Sequence, residues 1–232
     1  MKASSIIAVV TAALMVPTAA AAQGAFGLQG GQSRPRLKPV ANPSAVVATE
    51  IAFAREAQEK GQWTAFRAFA ADDAVMFVPQ PVAAKEWLKG RSNPARAVSW
   101  QPHSVWMSCD GSLPVSKGAW QRGDGSVGYF TTVWRRQKNG RYKWELDQGD
   151  TLPQPLAAPD MIAGNVADCS KAKAPIIRGP EAGETQRVGW SDDKTLQWIF
   201  VAQPDGSRWF KAHRWTGEGY EEVIRSEVAA GK

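Results

Sequence analysis

The sequence predicts an α+β protein: three N-terminal helices, then a curved antiparallel sheet, then a further antiparallel β-meander at the C-terminus. Two observations carry this. Near Val98 the apolar period changes from about 3.6 residues to about 2, and from there Asp-Gly and Asn-Gly turns separate strand-length segments. A third observation sets the division of the chain: Pro153, Pro155 and Pro159 interrupt the pattern before a second set of alternating segments begins.

Met1 to Ala22 read as a secretory signal peptide, with Lys2 as the positive region, Ile6 to Val16 as the apolar run and Ala20-Ala21-Ala22 as the small-residue cleavage site. The expected address is periplasmic or secreted, with no membrane span left after cleavage. Residues 23–43 carry Gly and Pro without apolar periodicity, as a flexible leader does. Ser44 is placed to cap a helix over Ala45 to Lys60, with Val47, Ile51, Ala54 and Gln58 on one line, Val46, Phe53 and Ala57 beside it, and Gly61 ending it. Trp63 to Ala70 follows as a short helix with Trp63, Phe66 and Phe69 on one side. Asp72-Asp73 break it, hydrogen-bonding the backbone there. Ala74 to Val78 is a buried strand, and Ala83 to Lys89 a third helical turn or two.

Four strands are expected at Val98–Cys109, Leu113–Arg122, Val127–Gln137 and Arg141–Gln148. Helices followed by a meander pack as a helical layer on a sheet. Beyond Leu152 the chain is mostly irregular, with one strand candidate at Met161–Cys169. A three-stranded meander then runs through Thr195–Gln203, Arg208–Thr216 and Tyr220–Val228. Three strands alone are marginally stable, so this piece must extend or pack on the first sheet. The domain boundaries are therefore 1–22, 23–43, 44–150 and 151–232.

The chain has 28 Lys+Arg against 22 Asp+Glu, scattered rather than clustered, which describes a solvated surface and not a nucleic-acid interface. Cys109 and Cys169 are the only cysteines. In an oxidising compartment they suit one disulfide closing a long loop, the alternative being two separate buried or reactive thiols, and with His103 and His213 distant from each other they lack metal-ligand spacing. Neither a Gly-rich phosphate loop nor a Ser-His-Asp order occurs in a convincing context, so no metal and no cofactor is expected.

From Ala45 to Gly149 the chain resembles the nuclear transport factor 2-like superfamily, in particular its exported bacterial, SnoaL-like members. The resemblance lies in an ordered set: Phe69-Ala70-Ala71-Asp72-Asp73-Ala74-Val75-Met76-Phe77-Val78-Pro79, Lys85-Glu86-Trp87-Leu88, Trp100-Gln101-Pro102, Ser108-Cys109-Asp110-Gly111-Ser112-Leu113, Gly118-Ala119-Trp120, Tyr129 to Gln137, Gly140-Arg141-Tyr142-Lys143-Trp144 and Asp147-Gln148-Gly149. It implies a cone whose helices cap a curved sheet and leave a pocket. It does not imply a reaction, since such folds serve isomerases, cyclases, binding modules and oligomerisation domains alike.

In enzymatic relatives an inward Asp, at times with Tyr or His, moves a proton beside a carbonyl. Asp147 is the matching candidate here, placed by strict alternation on the face opposite Tyr142, Trp144 and Leu146. The other reading makes Asp147 a turn cap or the partner of an Arg. His103 and Tyr129 are further candidates, each with a structural reading as a half-buried histidine and a packed sheet aromatic. Phe77, Trp87, Trp106, Phe130 and Trp134 either line a cavity for a flat apolar or aromatic ligand, or fill the cone. The expectation is an exported small-molecule-binding or scaffolding module. An isomerase- or cyclase-like enzyme with Asp147 as general base is the alternative, and a homodimerisation module a further one. The cavity separates them: open with the acid inside for an enzyme, open and apolar for binding, filled for a scaffold.

Overall fold

Helix α1 (Pro43–Lys60) starts because Asn42 caps it, its Oδ1 accepting the Ala45 N–H at 3.3 Å, and because Pro43 occupies the first turn, where a missing N–H costs nothing. The cap is Asn42 and not Ser44. The computed structural model describes residues 40–78, 80–173 and 180–230; the signal-peptide and leader assignments up to residue 39 lie outside the described residues. The described residues belong to one compact unit.

The buried stripe of α1 is Val46, Glu50, Phe53 and Ala57. The line through Ile51 faces outward, with Ile51 52 % exposed. Gly61, at φ 98°, turns the chain into α2 (Gln62–Phe69), and Asn93 Oδ1 accepts the N–H groups of Trp63 and Thr64 at 2.8 and 3.1 Å, satisfying the first turn from outside the helix. Strand β1 (Ala70–Phe77) and β2 (Pro81–Ala83) form a hairpin before α3 (Ala84–Leu88). Then come β3 (Ser99–Met107), β4 (Pro114–Gln121), β5 (Val127–Arg136), β6 (Tyr142–Leu152) and β7 (Ala163–Val166). They form a seven-stranded sheet in the order β2-β1-β6-β5-β4-β3-β7.

The sheet is mixed, which corrects the expected antiparallel one. β1 runs parallel to β6 and β7 parallel to β3, because each reaches its edge through a long connection instead of a tight turn. β1 also starts earlier than expected, at Ala70. Asp72 and Asp73 are exposed on it; Asp73 pairs with Arg187 at 3.0 Å, and Asp72 lies 3.9 Å from Lys85.

The second sheet has four strands and not three: β8 (Thr185–Trp190), β9 (Leu196–Ala202), β10 (Arg208–Trp215) and β11 (Tyr220–Val228), in the order β11-β10-β9-β8. It lies face-on against the first sheet. Leu113, Val115, Val133 and Leu146 meet Trp198, Phe200, Phe210 and Ile224 in one buried cluster, while Phe53, Val105, Met107, Trp134 and Trp144 form another beneath the helices. The layers are thus helices, large sheet, small sheet.

Two loops clasp the sheets together. In Ser108–Leu113 the Asp110 Oδ1 accepts from Ser108 Oγ at 2.7 Å and from Ser112 N at 2.9 Å; in Ser191–Leu196 the Asp193 Oδ1 accepts from Ser191 Oγ at 2.6 Å and Thr195 N at 3.0 Å. Each aspartate then reaches across: Asp110 N donates to Asp193 Oδ2 at 2.8 Å, and Asp193 N to Asp110 Oδ2 at 3.2 Å. The Cys109–Cys169 disulfide fastens the β7 connector to the first of these loops.

Candidate functional site

Between the helices and the large sheet lies a cavity of about 280 Å³. Phe53 reaches it from α1, Trp63 and Phe66 from α2, Trp100 from β3, Trp120 from β4 and Phe130 from β5. Its floor depends on glycine. Phe130 stands opposite Gly118 and Trp120 opposite Gly128 across neighbouring strands. In both pairs a Cβ on the glycine would collide with the aromatic ring, so each ring lies flat where a side chain would otherwise stand.

Asp147 is in the cavity wall. Strict alternation would put Trp144 and Leu146 on one face with Asp147 on the other. Instead the register shifts between Val133 and Trp134, so that Leu146 stands opposite Val133, Trp144 opposite Trp134, and Glu145 is extra. This bulge sends Trp144 under the helices with Asp147, while Leu146 and Glu145 turn toward the small sheet, where Glu145 binds Arg135 at 3.0 Å and accepts from Trp198 Nε1 at 3.1 Å. The pleat argument is corrected accordingly.

The Asp147 Oδ2 accepts a hydrogen bond from Thr132 Oγ1 at 2.8 Å. Burial raises its carboxyl from the ordinary range to about 7, against the opposing pull of that bond. Behind it stands Glu50, 0 % exposed in the middle of α1. Trp134 Nε1 donates to Glu50 at 3.0 Å, Trp100 Nε1 at 3.3 Å, and Ser116 Oγ also donates to it. Burial, helped by the Asp147 charge and opposed by those three donors, brings Glu50 to about 7 as well. The two carboxyls are linked through Thr132 and Ser116, whose Oγ also reaches the Thr132 carbonyl at 3.3 Å. Trp100 joins wall to pair, since its ring lines the cavity while its N–H holds Glu50.

Sequence reasoning missed Glu50. The signal was present: a single carboxylate at the i+4 position of an otherwise apolar line, Val46, Phe53 and Ala57.

The other candidates are dispersed. Phe77 and Phe130 are in the cavity wall. Trp134 is fully buried behind it, its ring edge-on to Phe53 at 6.1 Å between centroids. Trp87 packs edge-on to Trp63 at 5.1 Å and carries Arg91 over its outer face, outside the wall. Trp106 packs against the cluster between the two sheets. Tyr129 alternates with Phe130 and so faces the small sheet, its hydroxyl raised by burial. His103 sits at a register shift in β3, away from the cavity, and burial lowers its pKa. Among the described residues no cluster of His, Cys, Asp or Glu is arranged to hold a metal, and no helix is long and apolar enough to cross a membrane.

No protein-family model matches the chain, and no curated protein matches it. Solved structures do. A protein of Parabacteroides distasonis, proposed to be a ketosteroid isomerase, is similar over 50 % of this chain and 98 % of its own, at 16 % identity and a TM-score of 0.39. The CaMKII hub of S. rosetta is similar over 49 % of this chain and 99 % of its own, at 15 % identity and TM-score 0.37. A protein of unknown function with a cystatin-like fold from Methylobium petroleophilum covers 62 % of this chain and matches over 100 % of its own, at 8 % identity and TM-score 0.36. Likenesses of this strength say nothing about what the cavity holds.

Proposed function

We propose that the protein is an exported acid–base catalyst that binds the flat apolar ring of a carbonyl compound in the aromatic cavity and moves a proton on it with Asp147. The observation that carries this reading is Asp147 in the wall of an open cavity, with a second buried carboxyl, Glu50, behind it. Burying an ionisable carboxyl is expensive; Glu50 is fully buried and Asp147 partly so, and perturbed carboxyls at a cleft mark a candidate functional site. As carboxylate, Asp147 would take the proton from the carbon beside the carbonyl. As the acid it would give the same proton back at another position of the resulting enol system. The reaction is then an isomerisation with no atom gained or lost. Glu50 does not touch the substrate in this scheme; it is a positioning residue that sets the charge Asp147 works against.

Export is part of the reading. The apolar run and Ala20-Ala21-Ala22 support it, and a disulfide is at home in an oxidising compartment. N-terminal sequencing of fractionated protein is expected to give a chain starting at or near Gln23.

The test of the chemistry is solvent deuterium incorporation into a panel of flat cyclic ketones, followed by mass spectrometry. The native protein is expected to accelerate exchange for at least one member, and Asp147→Asn to slow that exchange about 100-fold or more. Acceleration that survives Asp147→Asn rejects Asp147 as the base.

A further inference from the structure

Beside the aromatic cavity runs a polar groove of about 450 Å³, walled by Gln58, Pro94, Arg96, Ser99 and Gln121 among others. Arg122 belongs to both walls. Its guanidinium lies over the Trp120 ring at 4.5 Å from the centroid, so one side chain connects the apolar space to the polar one. Arg96 rests its aliphatic stem 3.3 Å from where a Cβ on Gly123 would be. Among the described residues of the groove wall, Arg96 and Arg122 are the charged ones, and neither guanidinium forms a hydrogen bond or ion pair. Two acids share this end: Asp124, whose charge Arg122 stabilises and which accepts from Ser126 Oγ at 2.7 Å, and Asp150 in the cavity wall, which accepts the Thr151 N–H at 2.8 Å.

We infer that the ligand of the cavity is an elongated molecule with a flat apolar ring at one end and an anionic group, a carboxylate by its fit to guanidinium, at the other. The ring occupies the space beside Phe130 and Asp147, and the anion lies between Arg122 and Arg96. The inference rests on the proposed function only in requiring that the cavity bind the ring end.

Strand geometry sets the length. Asp147 stands opposite Thr132, and Arg122 bonds to Ser126 at the same end of the β4–β5 hairpin, six residues away along one strand. At about 3.4 Å per residue the two rows lie about 20 Å apart, a span that Arg122 shortens by reaching inward along Trp120. A single ring is too short to touch both ends; a linear pair of rings with a carboxylate is not. Guanidinium is the right partner for that group, since its fork matches two carboxylate oxygens.

The test is isothermal titration calorimetry on the mature chain with two matched probes, biphenyl-4-carboxylate and the neutral biphenyl-4-methanol. The carboxylate is expected to bind about tenfold tighter or more. Arg96→Gln with Arg122→Gln together should abolish that advantage, bringing the ratio of the two affinities to about one. Salt should act in the same sense: between about 0.01 M and 1 M the Debye length falls from about 30 to 3 Å, and the advantage should shrink with it. If the alcohol binds and the carboxylate binds no tighter, or if the double variant keeps the advantage, the inference is overturned and the cavity reading stands. If neither probe binds, both fall.

Discussion

Glu50→Gln is expected to reverse its effect on stability between weakly acid and weakly alkaline pH. In the native protein Glu50 titrates at about 7 instead of 4.5. The folded protein therefore keeps this proton to higher pH than the unfolded chain does. Its stabilising effect is fully present below about pH 4.5, is lost as the pH climbs to about 7, and changes no further above that. At about 1.4 kcal/mol per pKa unit, ionising Glu50 in place costs the fold about 3 kcal/mol. Asp147, raised from 3.8 to about 7, adds a loss of the same sign. Glutamine cannot ionise. It can accept from Trp134 and Ser116, but its amide N–H₂ opposes one of three donors, which costs about 1–2 kcal/mol at any pH. The variant should thus be slightly less stable than the native protein near pH 5 and more stable near pH 8, a relative change of about 3 kcal/mol. Urea unfolding followed by tryptophan fluorescence at several pH values measures this. Parallel pH curves for the two proteins would refute the reasoning, because they would mean that Glu50 ionises at its ordinary pKa or not at all in this range.

Three further outcomes follow from the packing. Cys169→Ser opens a 60-residue loop and should lower stability by about 4 kcal/mol on the chain-entropy model, with limited proteolysis cutting first in the stretch between β7 and β9. Asp193→Ala removes the acceptor for Ser191, Thr195 and Asp110 at once, and should cost about 2–4 kcal/mol by urea unfolding, whereas Asp205→Ala, in an exposed turn with only local bonds, should cost under about 1 kcal/mol. Gly128→Ala drives a methyl into the Asp150 carbonyl and the Trp120 ring, and should cost about 1–3 kcal/mol or more while shifting the near-ultraviolet circular dichroism of the aromatic wall.

What could be read from sequence was whatever repeats locally. Strands β5 and β9 are buried on both faces and show in the sequence through their apolar content, while the Asp-Gly and Asn-Gly turns beside them place the hairpins to within a residue or two. The parallel pairings of β1 with β6 and of β7 with β3 join segments far apart in the chain, and no local period reports such a partner. β8 escaped because Thr185–Trp190 has no strong apolar alternation, although Gly183 turns the chain just ahead of it; it exists because β9 offers it an edge. In α1 the apolar residues are spread round most of the helix, so two stripes compete. The one that is buried contains Glu50, which a hydrophobicity count discards. The alternation that sets Asp147 opposite Leu146 holds, because Thr132 to Asp147 lies in the regular part of the ladder; the Glu145 bulge brings Trp144 round to the face of Asp147. A bulge of one residue leaves no mark in composition or period.

Two carboxyls change charge near neutral pH, Asp147 in the wall of the aromatic cavity and Glu50 behind it. Carbon-13 NMR of protein labelled at the Asp and Glu carboxyls reads this without a substrate. Two resonances are expected to titrate at about 7, one missing in Asp147→Asn and the other in Glu50→Gln. A spectrum in which every carboxyl has finished titrating by about pH 5 would contradict the account.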